Sequence, residues 1–180
     1  TISDYDKEEI KRQFSISTTM VPIEYEGAEG KIKINLLDTP GYFDFVGEVE
    51  EAVSAADAAI IVVNCKAGIE VGTEKAWDLC EEYKLPRIIF VTNMDDDHAS
   101  FRELILKLEK KFGRKIAPFQ VPIRENEKFV GFVNAVKMQG RRFTNLSDYE
   151  DCEIPEYTKK NLGIIRDALI EAVAETSEEY

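Results

Sequence analysis

The chain has 180 residues, room for one domain and a modest appendage, and its charges sum to −12 with a single histidine. At 44% hydrophobic and 32% charged, with 10 Gly and 6 Pro, it can bury a core, which excludes fibrous, collagenous and largely disordered classes. The longest uninterrupted apolar run, residues 58–63, is far shorter than the about 20 residues a membrane helix needs, and no basic-then-apolar leader opens the chain. A soluble, cytoplasmic protein with no membrane partner is expected.

The predicted elements begin with two strands, over 19–25 and 31–37, joined by a turn at 26–30. Pro22 makes the first an edge strand. In the second, Ile32, Ile34 and Leu36 alternate with Lys31, Lys33 and Asn35, the period of a strand with one buried face. Residues 58–63 and 88–91 are continuous apolar runs, the pattern of interior parallel strands covered on both faces. Between and after them, three helical stripes run over 48–56, 73–83 and 101–112, the last marked by Phe101, Leu104, Ile105, Leu108 and Phe112. Alternating strands and helices from 31 to 112 predict a doubly wound, mostly parallel α/β sheet. Beyond Gly113 the rhythm changes to short strands at 117–123, 129–133 and 136–143. A helix opened by Pro155 follows, with Leu162, Ile165, Leu169 and Val173 on its inner stripe. The division expected is 1–113 as an α/β core and 114–180 as a smaller α+β subdomain.

Charge is unevenly spread. Residues 1–100 carry 9 basic and 21 acidic side chains, residues 101–142 carry 11 and 4, and residues 143–180 carry 3 and 10. The acidic total conceals a basic middle, in which Arg102, Lys107, Lys110, Lys111, Arg141 and Arg142 fit either a partner surface or a solvated face. Cys65, Cys80 and Cys152 lack any Cys-x-x-Cys spacing and only His98 could join them, so a reducing compartment fits and a zinc site does not. Trp77, Phe101 and Phe112 sit at helical spacing and read as core.

In an open parallel sheet, ligands bind beyond the carboxyl ends of the strands. Those positions here are Asp38-Thr39-Pro40-Gly41, Asn64-Cys65-Lys66 and Thr92-Asn93-Met94-Asp95. An Asp-x-x-Gly alone carries little, and Asp44 to Gly47 is a second one. The first directly follows a strand, however, and is matched by Asp95 after a later interior strand. In nucleotide switches an Asp so placed holds a water of a magnesium ion, the Gly lets a backbone N–H approach a phosphate, and the later Asp accepts from guanine. The same spacing fits Asp residues that merely cap loops and helix starts.

The string from Asp38 to Glu50, with Gly41, Tyr42 and Gly47 in it, resembles the third GTPase motif of translational GTPases, specifically the elongation factor G family. Residues 88–95 resemble its guanine-specificity motif, residues 9–16 its first switch, and residues 130–138 the subdomain inserted in its GTP-binding domain. The matches are colinear over nearly the whole chain. The resemblance implies a P-loop GTPase fold with GTP or GDP and Mg2+ as cofactors. It places Ser15 and, through water, Asp38 at the metal, Gly41 at the γ-phosphate, and Thr92, Asn93 and Asp95 at the base. It also implies a ribosome partner, both RNA and an acidic stalk protein, and no DNA.

Two departures stand out. Tyr42 occupies the place of the family's water-orienting histidine, and Thr92-Asn93 replaces its usual Asn-Lys. They imply a divergent branch with altered hydrolysis and weaker guanine affinity or selectivity. The implied function is GTP hydrolysis coupled to translation; the rival is a nucleotide-dependent ribosome-binding or ribosome-protecting module with vestigial hydrolysis. No G-x-x-x-x-G-K-[ST] phosphate loop occurs in the 180 residues, and no lysine is followed by Ser or Thr. With Thr1 in place of an initiator methionine, the chain is expected to be an internal piece of a larger factor that lacks the phosphate-loop strand. By itself it is expected to bind GTP poorly and to be inactive.

Overall fold

A computed structural model describes residues 2–27, 30–113, 116–145 and 148–174. The chain divides into two units, residues 1–62 with 70–90 and residues 63–69 with 91–180. The centre of the turn expected at 26–30, Ala28 and Glu29, and the 114–115 junction lie outside the described residues. Among the described residues no helix is long and apolar enough to cross a membrane.

The first unit opens with a short helix absent from the sequence-based expectation, α1 (Lys7–Arg12). A capping box starts it: Asp6 accepts from the Glu8 backbone at 2.7 Å while Glu9 accepts from the Asp6 backbone at 3.2 Å. Gln13, with φ of 59°, ends it in the left-handed region. The expected hairpin follows as β1 (Thr19–Gly27) and β2 (Gly30–Asp38), antiparallel from Thr19 opposite Asp38 to Gly27 opposite Gly30. Register places Glu24 opposite Lys33 and Glu26 opposite Lys31, so charge complementarity supports the alignment.

Two expectations about the hairpin are corrected. Ile32, Ile34 and Leu36 are exposed, not buried, because β2 pairs with β1 alone and neither face of the ribbon is covered by a further layer among the described residues. The single sheet running from residue 31 is therefore replaced by separate sheets.

A 3-10 turn at Phe43–Phe45 leads into α2 (Val46–Ala55), which touches α3 (Val71–Glu82). Strands β3 (Ala59–Asn64) and β4 (Arg87–Thr92) flank α3 and pair with each other. The Ala59 amide bonds the Pro86 carbonyl and the Cys65 amide the Thr92 carbonyl, so both chains advance together and the pair is parallel, as the strand–helix–strand pattern predicts. Within α3 Trp77 and Cys80 are buried, and the Arg87 guanidinium lies 3.9 Å from the Trp77 ring. The apolar runs are not covered on both faces, however. Ile61 is buried while Ile60, Val62, Ile88 and Phe90 are each more than half exposed. Alternation puts these four on one face of the parallel pair.

The second unit contains α4 (Phe101–Phe112), capped by Ser100, with Leu104 and Leu108 buried and Phe101 and Phe112 half-buried. An antiparallel sheet follows in the order β5 (Gln120–Glu125), β6 (Lys128–Asn134), β7 (Gln139–Phe143), β8 (Tyr149–Cys152). Helix α5 (Glu156–Ala174) closes a core of Ile123, Val133, Ala135 and Leu162, flanked by Val121, Val130, Cys152, Ile154 and Ile165. Strand β7 starts later than the expected 136 because the Asn134 side chain accepts from the Val136 and Lys137 amides, turning the chain, with Met138 at φ of 53°. The stripe predicted on α5 is buried only near its start: Leu162 is inside and Val173 is exposed.

Candidate functional site

Glu9 is the first element of the site in the first unit. Its side chain is 2% exposed, and Oε1 accepts from the backbone amides of Ile16 (2.9 Å) and Ser17 (3.1 Å) while Oε2 takes that of Asp6. Hydrogen bonds from Ile16 and Ser17, and then from Asp6, hold its carboxyl below the usual glutamate range. The carboxylate thus ties the segment around Ser15 to α1. Ser15 itself donates through Oγ to Asp4 at 2.7 Å. Thr18 anchors the far end of the segment, its amide bonding the Glu48 carboxylate at 2.6 Å and its hydroxyl donating to the Glu48 carbonyl at 3.0 Å.

Glu48 belongs to α2, just beyond the Asp-x-x-Gly string, so the two matched regions meet. The second contact between them is aromatic: Phe14 and Tyr42 have ring centroids 4.7 Å apart at 57°, and Phe14 also faces Phe45 at 6.4 Å. Tyr42 is 56% exposed. Asp38 is the last residue of β2, opposite Thr19, and half-buried; Gly41 is exposed, with open space where a side chain would stand. Lys75 of α3 lies 4.3 Å from the Phe43 ring and closes this flank.

The second unit holds the other matched residues, at the end of β4 and in the loop after it, beside the end of β3. Asn64 accepts from the Lys66 and Ala67 amides (2.9 and 3.1 Å) and donates through Nδ2 to Asn93 Oδ1 at 3.0 Å. Asn93 is held at φ of 55°, a left-handed conformation that asparagine tolerates better than most residues. Asp95 is exposed. Its neighbour Asp96 is the engaged one: it accepts from the His98 amide at 2.9 Å and pairs with Lys66 at 3.2 Å. These bonds, the His98 amide first, lower the Asp96 carboxyl. Thr92 contributes its carbonyl to the strand pair. Burial raises the Cys65 thiol, which leaves it a packing residue.

The matched residues thus fall into two groups: Ser15, Asp38, Gly41 and Tyr42 in the first unit, and Thr92, Asn93 and Asp95 in the second. Sequence reasoning missed Glu9, Phe14, Glu48 and Asp96, and flagged Asn64 only by its place at a strand end. Glu9 and Phe14 lie inside a matched string, yet nothing in their spacing marks one as a buried acceptor and the other as a ring partner. The basic middle is also partly neutralised. Arg142 grips Glu125 with both guanidinium nitrogens, which lowers the Glu125 carboxyl, and Arg141 lies 4.4 Å from the Tyr149 ring and 3.8 Å from Asp151. Arg102, Lys107 and Lys110 are exposed on α4.

The family described as Elongation factor Tu GTP binding domain matches residues 1–176, and the chain belongs to it. The Elongation factor G-like protein of Thermotoga maritima is 35% identical over 176 residues, which are 98% of this chain and 24% of that protein. The crystal structure of ttk003000868 from Thermus thermophilus matches with a TM-score of 0.90 at 33% identity, over 99% of this chain and 26% of that one. The chain therefore spans about a quarter of the length of these relatives.

Proposed function

We propose that the chain is the switch-and-base part of the GTP-binding domain of an elongation factor G-like translational GTPase. In this reading residues 1–113 form a partial GTPase core and residues 114–180 an inserted subdomain that meets the ribosome, its RNA and stalk protein, in the cytoplasm. The observation that carries the reading is the family match over 1–176, with Asp38 ending β2, Thr92 ending β4 and Asn93 to Asp95 directly after it.

The chemistry of the donor set suits magnesium. Ser15 and Asp38 offer oxygen ligands, which a hard cation prefers. Ser15 donates its proton to Asp4, leaving oxygen lone pairs for a cation. When bound, Mg2+ would neutralise charge on the phosphates. Gly41, with no side chain in the way, can present its amide to a phosphate oxygen, and Asp95 can accept two hydrogen bonds from a guanine edge.

Tyr42 is the residue on which rate turns. Its ring rests on Phe14, and a phenol there positions a water differently from an imidazole and is a weaker base near neutrality. Replacing Tyr42→His in the full-length protein should raise ribosome-stimulated phosphate release by about tenfold or more, since a well-placed general base contributes about 10²–10⁴. No gain would favour a binding module in which hydrolysis is vestigial.

A further inference from the structure

Arg124 lies in β5, far along the chain from the base-reading loop, yet its guanidinium reaches into that loop. One terminal nitrogen, Nη2, donates to the Met94 carbonyl at 2.6 Å and to the Ala99 carbonyl at 3.0 Å. The other, Nη1, donates to the Glu127 carbonyl at 2.7 Å, in the turn of its own hairpin. The Met94 carbonyl belongs to the peptide that joins Met94 to Asp95. Pinning that peptide plane places the Asp95 Cα from which its side chain leaves the backbone. The Ala99 bond holds the other end of the same loop, where Ser100 caps α4.

The hairpin is shaped to deliver this side chain. The β5–β6 register slips between Ile123 and Arg124, leaving Val130 extra on β6. A slip of this kind re-aims side chains and interrupts the ladder. The backbone groups of Arg124 are instead taken up by one hydroxyl: Tyr157 of α5 accepts from the Arg124 amide at 3.0 Å and donates to its carbonyl at 3.1 Å. The two-residue turn holds both Asn126 and Glu127 at positive φ, 49° and 67°, which costs energy for a glutamate and is what presents the Glu127 carbonyl to Arg124. A bulge, a tyrosine clamp and a strained turn therefore converge on one guanidinium.

We propose that Arg124 is a positioning residue for guanine selectivity, acting through Asp95 by holding the Met94–Ala99 loop. This rests on the reading of Asp95 as the guanine acceptor. Asp95 can accept from both the ring N–H and the exocyclic amine of guanine, whereas hypoxanthine lacks the amine. The ratio of GDP to IDP affinity therefore reports how well Asp95 is aimed, while loss of general structure weakens both nucleotides together.

The test is calorimetric titration of GDP and IDP into the full-length protein and its variants. Arg124→Met should lower the GDP:IDP affinity ratio by about tenfold, the size expected when one charge-assisted hydrogen bond ceases to hold its partner. Tyr157→Phe, which removes only the clamping hydroxyl, should lower it in the same direction by less. Arg124→Lys, with one point donor in place of the fork, should fail to restore the full ratio. Asp95→Ala should bring the ratio close to one; if it does not, the reading of Asp95 is wrong, whatever Arg124 does. If Asp95→Ala collapses the ratio but Arg124→Met and Tyr157→Phe leave it unchanged, or weaken GDP and IDP equally, the Arg124 proposal is overturned.

Discussion

Glu9 concentrates the logic of the segment around Ser15 in one side chain, since three backbone amides converge on a carboxylate that is almost wholly buried. Its folded-state proton affinity is depressed, so its stabilising contribution is fully present above the ordinary glutamate value of about 4.3 and is lost as pH falls through the lower folded value. Asp96 and Glu125 are depressed too and act in the same direction. Glu9→Gln should therefore lower the melting temperature at pH 7, and its difference from the parent should shrink as the pH drops below about 4, as read by calorimetry across pH. An unchanging difference would show that the carboxylate charge is not what holds the segment. The neighbouring Asp95, Asp96 and Asp97 show where residue-level reading stops. Three adjacent acids carry no pattern that says which is tied down, and only the placement of Lys66 and the His98 amide singles out Asp96.

Elements follow sequence most closely where periodicity and turn chemistry agree. The parallel crossover β3–α3–β4 and the helix α4 come out near their predicted bounds because long apolar stripes leave few alternatives. Strand β8, Tyr149–Cys152, carries two acids in four residues and has no alternation to betray it; pairing with β7 creates it. The antiparallel sheet also depends on close backbone approaches. A side chain at Gly131 would meet the Arg141 carbonyl oxygen, and one at Gly140 would stand 2.7 Å from that of Cys152. Gly131→Ala should destabilise by more than about 2 kcal/mol, with a matching fall in denaturation midpoint. Gly163→Ala, in α5 where a methyl group meets only open space, should instead stabilise by about 0.5–1 kcal/mol. Equal effects at the two sites would mean that contact geometry is not what distinguishes them.

For the whole molecule, the decisive departure from expectation is the bare face of the parallel pair. An unbroken apolar run predicts layers on both sides, yet Ile60, Val62, Ile88 and Phe90 stand open on one of them. A contiguous apolar surface of this kind drives association. The 180-residue chain should therefore self-associate with rising concentration in sedimentation experiments, and Phe90→Lys should reduce it. An equally associating variant would place the contact elsewhere. Colinear motif order made the family legible from the residues, whereas the exposure of this face was not, because burial depends on what packs against a strand and not on the strand's own pattern. The paired asparagines at the ends of β3 and β4 carry a further consequence, for substitution. Asn93 sits at positive φ and accepts the Asn64 amide. The lysine usual at this position in the resembled family would adopt a left-handed backbone at a cost of about 1–2 kcal/mol and would remove the side-chain acceptor of the Asn64 amide. Positions 64 and 93 are thus coupled: exchanging Asn93 alone gives up both the residue that tolerates this backbone and the side-chain bond, so the two are expected to change together.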